Sequence, residues 1–533
     1  MINKYFPFLI FVTILLFITC SSKTENLEKQ KTSANFRRPN ILFAISDDQS
    51  YPHASIYGAT WIKTPAFDRI AREGVLFNNA FTASPGCSPS RAAILTGLNC
   101  WQLEEAGTHA SSFPIKFKGY PDILEEAGYF VGYTGKGWGP GNWEVSGRKR
   151  NPAGVLFNNK KLEPPLSGIS AVDYAGNFAD FMAQRPEGQP FCFWYGAHEP
   201  HREFEKGSDL KARKKLGEVE VPPFLPDTEE VRSDLLDYAL EIEWFDQHLE
   251  RMLKLLEEAG ELDNTIIVVT SDNGMAFPRA KANLYEYGFH VPLAIRWADQ
   301  IKGGRNVDEV VSLVDLAPTY MEAAGISFQN KSNSPPMAGH SLLNLMKNNE
   351  NKISSRNAAF AARERHSSSR WNNLTYPQRS IRTENYLYIR NFKPERWPAG
   401  APQKYEEDGT LGSMHHAYHD IDACPTQDFL VEHIDDPEIN KYLLLAVGKR
   451  PEEEFFNIKN DPDCLQNLAE DPAYLEALLQ HRQQLGGYLM ETEDPRVTGK
   501  GDIYESYIRY SPIRSFPEPD WASKEEKLRF QDL

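Results

Sequence analysis

The sequence predicts an α/β protein, built on a mostly parallel central sheet flanked by helices and followed by a smaller α+β domain. Four short apolar runs, at residues 41–45, 129–133, 191–195 and 266–269, have the length and the β-branched or aromatic content of buried parallel strands, and helical stretches separate them. Each run gives way to polar residues: Asp47 and Asp48 after the first, Lys136 after the second, His198 after the third, Asp272 with Asn273 after the fourth. Open parallel sheets bind ligands beyond the carboxyl ends of their strands, so four distant segments are predicted to converge on one crevice. Strand-like material between residues 356 and 392, including Tyr386-Leu387-Tyr388-Ile389, and then a helical pattern over 474–489 define the smaller domain.

Taken in order, Lys4 precedes an apolar run over residues 6–18 that is too short to span a bilayer and suits the hydrophobic part of an export signal, placing a signal peptide over 1–20. Residues 21–36 are polar and aperiodic and read as a flexible tether. The first folded domain takes 37–345. Within it, residues 233–258 carry Leu235, Leu236, Leu240, Ile242, Met252, Leu253, Leu255 and Leu256 at helical spacing, and this helix is assigned to packing. Lys331-Ser332-Asn333-Ser334-Pro335-Pro336 reads as a linker or surface loop. The smaller domain takes 346–515, and 516–533 form a tail.

A formal charge of −16 argues against a nucleic-acid partner, because a phosphate backbone would be repelled by most of the surface. An anionic substrate meets the same repulsion, so its site must carry a local basic pocket. The six cysteines, Cys20, Cys87, Cys100, Cys192, Cys424 and Cys464, are too few and too scattered for a disulfide scaffold or a zinc module; Cys424 and Cys464 are a candidate pair.

The chemistry concentrates at Cys87-Ser88-Pro89-Ser90-Arg91. Pro89 suits the first turn of a helix, the small apolar run after it sustains one, and Gly97 is a plausible stop, which puts Cys87 at a helix N-terminus as the catalytic residue. Free backbone N–H groups attract an anion there, and Arg91 falls on the same helical face as Cys87. Asp47, Asp48, Asp272 and Asn273 offer an all-oxygen set, which suits a hard divalent ion, calcium rather than zinc.

The stretch Cys87-Ser88-Pro89-Ser90-Arg91 resembles the C-x-P-S-R signature of the type I sulfatases, whose fold is alkaline-phosphatase-like. The resemblance implies that Cys87 is oxidised after translation to formylglycine (3-oxoalanine) by a formylglycine-generating enzyme, and that its hydrate supplies the nucleophilic hydroxyl. It implies Asp47, Asp48, Asp272 and Asn273 as calcium ligands, with the modified Cys87 and substrate oxygens completing the shell. His198-Glu199-Pro200-His201-Arg202 is similar to the H-x-P-H-R segment of the heparan N-sulfatase (sulfamidase) branch; by that likeness His198 contacts the sulfate and protonates the leaving atom, with His201 and Arg202 in support at the substrate. The segment from Phe277 to Tyr285 resembles the same branch and makes Lys281 a sulfate-binding cation; Lys136, in Thr134-Gly135-Lys136-Gly137-Trp138, matches a second. The stretches from Glu454 to Pro472 and from Glu491 to Arg496 look like closing motifs of the family, so the likeness spans about 38–496.

One position departs. Sulfatases commonly carry a histidine two residues after the lysine matching Lys136, and this chain has Trp138; His109 and His366 are candidate substitutes, and His366, beside Arg365, is also a candidate for binding substrate. Phe17-Ile18-Thr19-Cys20 is similar to a bacterial lipoprotein cleavage box, which implies lipidation at Cys20 and attachment to a membrane at the periplasmic or cell-surface side. The expected function is hydrolysis of sulfate esters or N-sulfates in a sulfated polysaccharide, of the algal ulvan type or the heparan type. Two alternatives stay open: a phosphate mono- or diester hydrolase of the same fold, and an inactive surface lipoprotein that binds glycans.

Overall fold

The computed structural model describes residues 37–326, 335–347 and 357–522. The export signal, Cys20, the tether and Lys331–Ser334 of the linker lie outside the described residues. No helix among the described residues is long and apolar enough to cross a membrane.

The strands, in chain order, are β1 (Asn40–Ser46), β2 (Val75–Phe77), β3 (Ala80–Phe81), β4 (Phe130–Gly135), β5 (Val155–Leu156), β6 (Phe191–Gly196), β7 (Thr265–Ser271), β8 (Leu293–Arg296), β9 (Arg305–Val307), β10 (Val311–Ser312), β11 (Ala358–Arg363), β12 (Gln378–Thr383), β13 (Tyr386–Asn391) and β14 (Glu453–Asn457). The central sheet has eight strands in the order β5-β4-β6-β1-β7-β8-β2-β9. The block β5-β4-β6-β1-β7 is parallel, β8 runs antiparallel to both β7 and β2, and β2 pairs parallel with β9. The sheet is therefore mixed. The four apolar runs are β4, β6, β1 and β7, a contiguous block, and β1 is buried along its whole length, as a strand covered on both faces must be.

Alternation along β1 sorts its side chains between two cores. Ile41, Phe43 and Ile45 face a cluster that includes Ala92, Ala93 and Leu95 of helix α2 (Cys87–Thr96), which follows α1 (Pro65–Glu73). Leu42 and Ala44 face the other cluster, with Phe245, Leu249 and Met252. These last three belong to the long packing helix α5 (Glu229–Glu258), which comes after α3 (Tyr120–Glu126) and α4 (Tyr174–Gln184). Helix α5 starts four residues before the apolar periodicity does, because Thr228 caps it by accepting from the Val231 N–H and Glu229 and Glu230 occupy its first turn.

The second sheet, β11-β12-β13-β14, is antiparallel throughout. The late helix is observed over Leu475–Glu491, and its Leu478 and Leu485 join Ile381, Tyr388 and Phe455 in the same apolar cluster that backs β1. The expected boundary near residue 345 falls between the two sheets, and both sheets lie in one compact unit, Pro39–Leu533. The candidate disulfide is not made: Cys424 and Cys464 are free, buried thiols, Cys424 instead capping a helix by accepting from the Gln427 N–H.

A buried ion pair bridges the two sheets' surroundings. Arg382 of β12 donates to Glu286 at 2.6 Å, and Glu286 lies 3.0 Å from His290. Burial alone would raise the Glu286 carboxyl, but Arg382 and His290 pull it down from 4.5 to about 2. A depressed carboxylate contributes stability that is fully present above its unfolded value and is lost as pH falls through the folded one. The expected outcome is that Arg382→Ala lowers unfolding free energy by about 3 kcal/mol, and that Glu286→Gln flattens the acid limb of stability between pH 4.5 and about 2. Denaturant unfolding across that range checks both; curves parallel to wild type would contradict the assignment.

Candidate active site

Parallel pairing of β1 with β7 places Ser46 opposite Ser271, so the residues that follow each strand emerge side by side. Asp48 takes a left-handed backbone conformation at φ 77° and donates its N–H to Asp272 Oδ1 at 3.1 Å. Asn273 Nδ2 donates to Asp48 Oδ1 at 2.7 Å. Helix α2 begins at Cys87 and ends where Gly97, at φ 69°, returns its N–H to the Ala93 carbonyl, as the motif predicts. The Cys87 sulfur and carboxylate oxygens of Asp47 and Asp272 all lie within 4.8 Å of one another, and Cys87 Sγ stands 3.9 Å from Asp48 Oδ1.

Three cations face this cluster. Arg91, fully buried, donates through Nε to Asp272 Oδ2 at 2.7 Å and holds Nη2 3.5 Å from Asp47 Oδ1; its Nη1 donates to the carbonyls of Lys136 and Gly137 at 2.8 and 3.1 Å. Lys136 Nζ donates to Asp47 Oδ2 at 2.6 Å. Lys281 Nζ bridges Asp48 Oδ2 at 2.6 Å and Asp422 Oδ2 at 2.8 Å. Charges this deeply buried persist only when paired. Burial would push Asp47 up, but Lys136 and Arg91 override it and hold the carboxyl well below its ordinary value. Asp272 goes the other way: burial, reinforced by Asp47 against the pull of Arg91, raises it to about 7. Burial also pushes the Cys87 thiol well up, so the unmodified side chain is no thiolate nucleophile.

A hard cation fits this floor. Asp47 Oδ1 and Asn273 Oδ1 are buried and accept no hydrogen bond, and the ligand atoms grouped with them are carboxylate oxygens apart from the Cys87 sulfur and, beside Asp48, a His201 ring nitrogen. Orphaned acceptors of this kind cost about 1–3 kcal/mol each, which an ion at this position would relieve.

The remaining predicted residues line or support a cavity of about 730 Å³ above the floor. His198 is exposed to the cavity; its backbone N–H donates to Tyr174 Oη at 3.1 Å, and Tyr174 in turn donates to the buried Glu199 at 2.9 Å. Desolvation in the cavity, then Lys136, lowers the His198 imidazolium to about 4. His201 Nε2 lies 3.9 Å from Asp48 Oδ2. Arg202 is engaged elsewhere: it binds both Asp234 oxygens at 2.7 and 2.9 Å and the Ala276 carbonyl at 2.8 Å, which pins the loop carrying His198 and His201. The rings of His109 and His366 are 4.6 Å apart at the cavity wall, both held neutral by burial. Trp138 is buried away from the cavity lining, its Nε1 donating to the Ser88 carbonyl at 3.0 Å and its ring edge-on to Phe113. It braces the first turn of α2 from behind.

Sequence reasoning missed Asp422, the second partner of Lys281, and the cavity-lining Ser367, His419, Arg509 and Arg514. All lie outside regular strands and helices, where no periodicity marks them; the pair Asp420 and Asp422 around Ile421 was the available signal.

Buried cations at the end of parallel strands, with an oxygen cluster beside a helix start, fit an enzyme that hydrolyses esters of a tetrahedral oxyanion, and this is the class that fold and site define together. The chain belongs to the sulfatase family, whose model matches residues 39–326, and it is a sulfuric ester hydrolase. A second model, N-sulphoglucosamine sulphohydrolase C-terminal, matches residues 279–420. Among curated relatives, an ulvan-active sulfatase of Formosa agariphila is 26% identical over 91% of this chain and 82% of its own. The human N-sulphoglucosamine sulphohydrolase is 27% identical over 89% of this chain and 94% of its own. Among solved structures, BT4656 in complex with its substrate D-glucosamine-2-N,6-O-disulfate matches with TM-score 0.59 at 22% identity, covering 86% of this chain and 98% of that one. BT1596, a 2-O GAG sulfatase, matches with TM-score 0.59 at 18% identity, covering 86% and 94%.

Lys281→Met removes the shared partner of Asp48 and Asp422. In chelator it is expected to lower unfolding free energy by about 3–5 kcal/mol, read by denaturant titration; stability equal to wild type would show that the two carboxylates are not charged together.

Proposed function

We propose that this chain removes sulfate from a sulfated polysaccharide or its oligosaccharides, using an oxidised Cys87 and a calcium ion, on the outer side of a bacterial membrane to which Cys20 anchors it. The carrying observation is the position of Cys87: its sulfur shares a 4.8 Å neighbourhood with Asp47 and Asp272 while two buried cations, Arg91 and Lys281, and the half-buried Lys136 face the same floor. The relatives named for ulvan and for N-sulphoglucosamine support an anionic saccharide as substrate.

Asp47, Asp48, Asp272 and Asn273 would hold calcium, which when bound supplies charge neutralisation and orientation of the sulfuryl oxygens. Oxidation of Cys87 by a formylglycine-generating enzyme would give an aldehyde whose hydrate carries the nucleophilic hydroxyl. Arg91, locked between Asp272 and two backbone carbonyls, is preorganised at the helix start and needs no reorientation as negative charge develops. Lys136 and Lys281 present their ammonium groups to the sulfuryl oxygens from Asp47 and Asp48. His198, at the cavity end of β6, delivers a proton to the departing oxygen or nitrogen; an anion arriving beside it raises its low pKa toward that task.

The test pairs two measurements on the same preparations, intact mass of the peptide containing residue 87 and sulfate release from sulfated saccharides. Wild type coexpressed with a formylglycine-generating enzyme is expected to show a peptide in which the elements of hydrogen sulfide are exchanged for a single oxygen atom, and to release sulfate; Cys87→Ala is expected to release none. Equal release by the two proteins would overturn the proposal.

A further inference from the structure

The cavity wall carries two further guanidiniums, those of Arg509 and Arg514, that no step above uses. Both sit on the segment 507–516, which is tied down along its length. Arg365 donates to the Tyr507 carbonyl at 2.8 Å, Ser111 Oγ to the Ile508 carbonyl at 2.7 Å, the Tyr510 N–H to the Ala110 carbonyl at 2.7 Å, and the Tyr405 N–H to the Ser515 carbonyl at 2.9 Å.

Both arginines are aimed by backbone groups rather than by carboxylates. Arg509 Nη1 donates to the His366 carbonyl at 3.2 Å, and its Nε is buried with no acceptor. Arg514 is held by Ser368, through its N–H to Oγ at 2.9 Å and its Nη1 to the carbonyl at 3.2 Å. Neither makes an ion pair among the described residues. Asp420, the acidic group that Arg509 senses, is engaged by Arg363 at 2.7 Å and Arg370 at 2.6 Å. Burial, opposed by Asp420 and reinforced by Arg514, pulls Arg509 below its ordinary value, and burial with Arg514 lowers His419 on the same wall to about 4. Guanidiniums without a carboxylate partner at the wall of a cavity, in a chain with net charge −16, mark a place prepared for an anion. The floor already has its own set of cations, so this is a second place.

We propose that Arg509 and Arg514 form a second anion subsite, which holds a carboxylate or a further sulfate of the same saccharide and makes the enzyme select multiply anionic chains over singly sulfated ones. The inference rests on the reading of a sulfated saccharide as substrate and adds the residues that choose among such saccharides. Guanidinium forks suit both groups, since each offers two oxygens for paired donation. The two family models end at residues 326 and 420, so the segment lies outside what they match.

The experiment uses three disaccharides that share one scissile sulfate: one with a neighbouring uronate, one with that carboxylate reduced to an alcohol, and one with a second sulfate in its place. Wild type is expected to favour the doubly anionic compounds in kcat/KM by roughly tenfold to a hundredfold, and Arg509→Ala/Arg514→Ala to bring that ratio toward one. Arg509→Lys/Arg514→Lys, which keeps the charge and drops the fork, is expected to retain part of the preference, whereas a folding defect would remove turnover of all three. Loss of preference for the uronate alone assigns the subsite to a carboxylate, and loss for both assigns it to either anion. A ratio unchanged in the alanine variant overturns the subsite. Should wild type release no sulfate from any of the three, the activity reading fails by itself; calorimetric binding of the same compounds to Cys87→Ala, with and without the two alanine substitutions, then decides the subsite, and equal affinity for all three would refute it.

Discussion

Every feature of the candidate site depends on one electrostatic constraint: carboxylates of Asp47, Asp48 and Asp272 are buried together, and Arg91, Lys136 and Lys281 stand against them. Uncompensated charge in such a place costs several kcal/mol per ion, so neither set exists without the other. The compensation is uneven. Lys136 and Arg91 hold Asp47 far below its ordinary value against burial, while burial, with Asp47 beside it, pushes Asp272 up to about 7. The orphaned oxygens of Asp47 and Asn273 lie at the same floor, where a cation would meet them.

The fold supplies this arrangement through strand register and packing. Pairing of β1 with β7 brings Asp47-Asp48 and Asp272-Asn273 to one edge, and the small residues Ala92 and Ala93 let α2 lie close on the sheet so that its first turn reaches them. Trp138 presses on that first turn from the far side and donates to its carbonyl. A large ring at this position is thus a brace for helix α2, and the two neutral histidines His109 and His366 stand together at the cavity wall. The second sheet and the segment after the last helix complete the cavity, with Asp422 on Lys281 and two arginines on the wall.

Four of the eight strands of the central sheet, and the residues of the floor that follow them, were legible in the sequence because their signals are local. β4, β6, β1 and β7 are buried on both faces and so read as apolar runs, and the polar residue two or three positions after each run marks its carboxyl end. The Pro89 and Gly97 punctuation bounded α2 within a residue. The short strands escaped, since β2 and the two edge strands β5 and β9 are three, two and three residues long and carry no usable periodicity. Arg202 is conspicuous in sequence but is tied to Asp234, 32 positions away, a pairing that only the fold reveals. Cys424 and Cys464 illustrate the same limit, since two buried thiols in one half of the chain are not thereby neighbours.

The claim that the floor is built for a hard divalent cation is tested most directly by anomalous diffraction from crystals grown with calcium. The account requires a peak about 2.3–2.6 Å from oxygens of Asp47, Asp48, Asp272 and Asn273, with Lys136 and Lys281 displaced from their present partners. A peak elsewhere, or none at a saturating concentration, would contradict it.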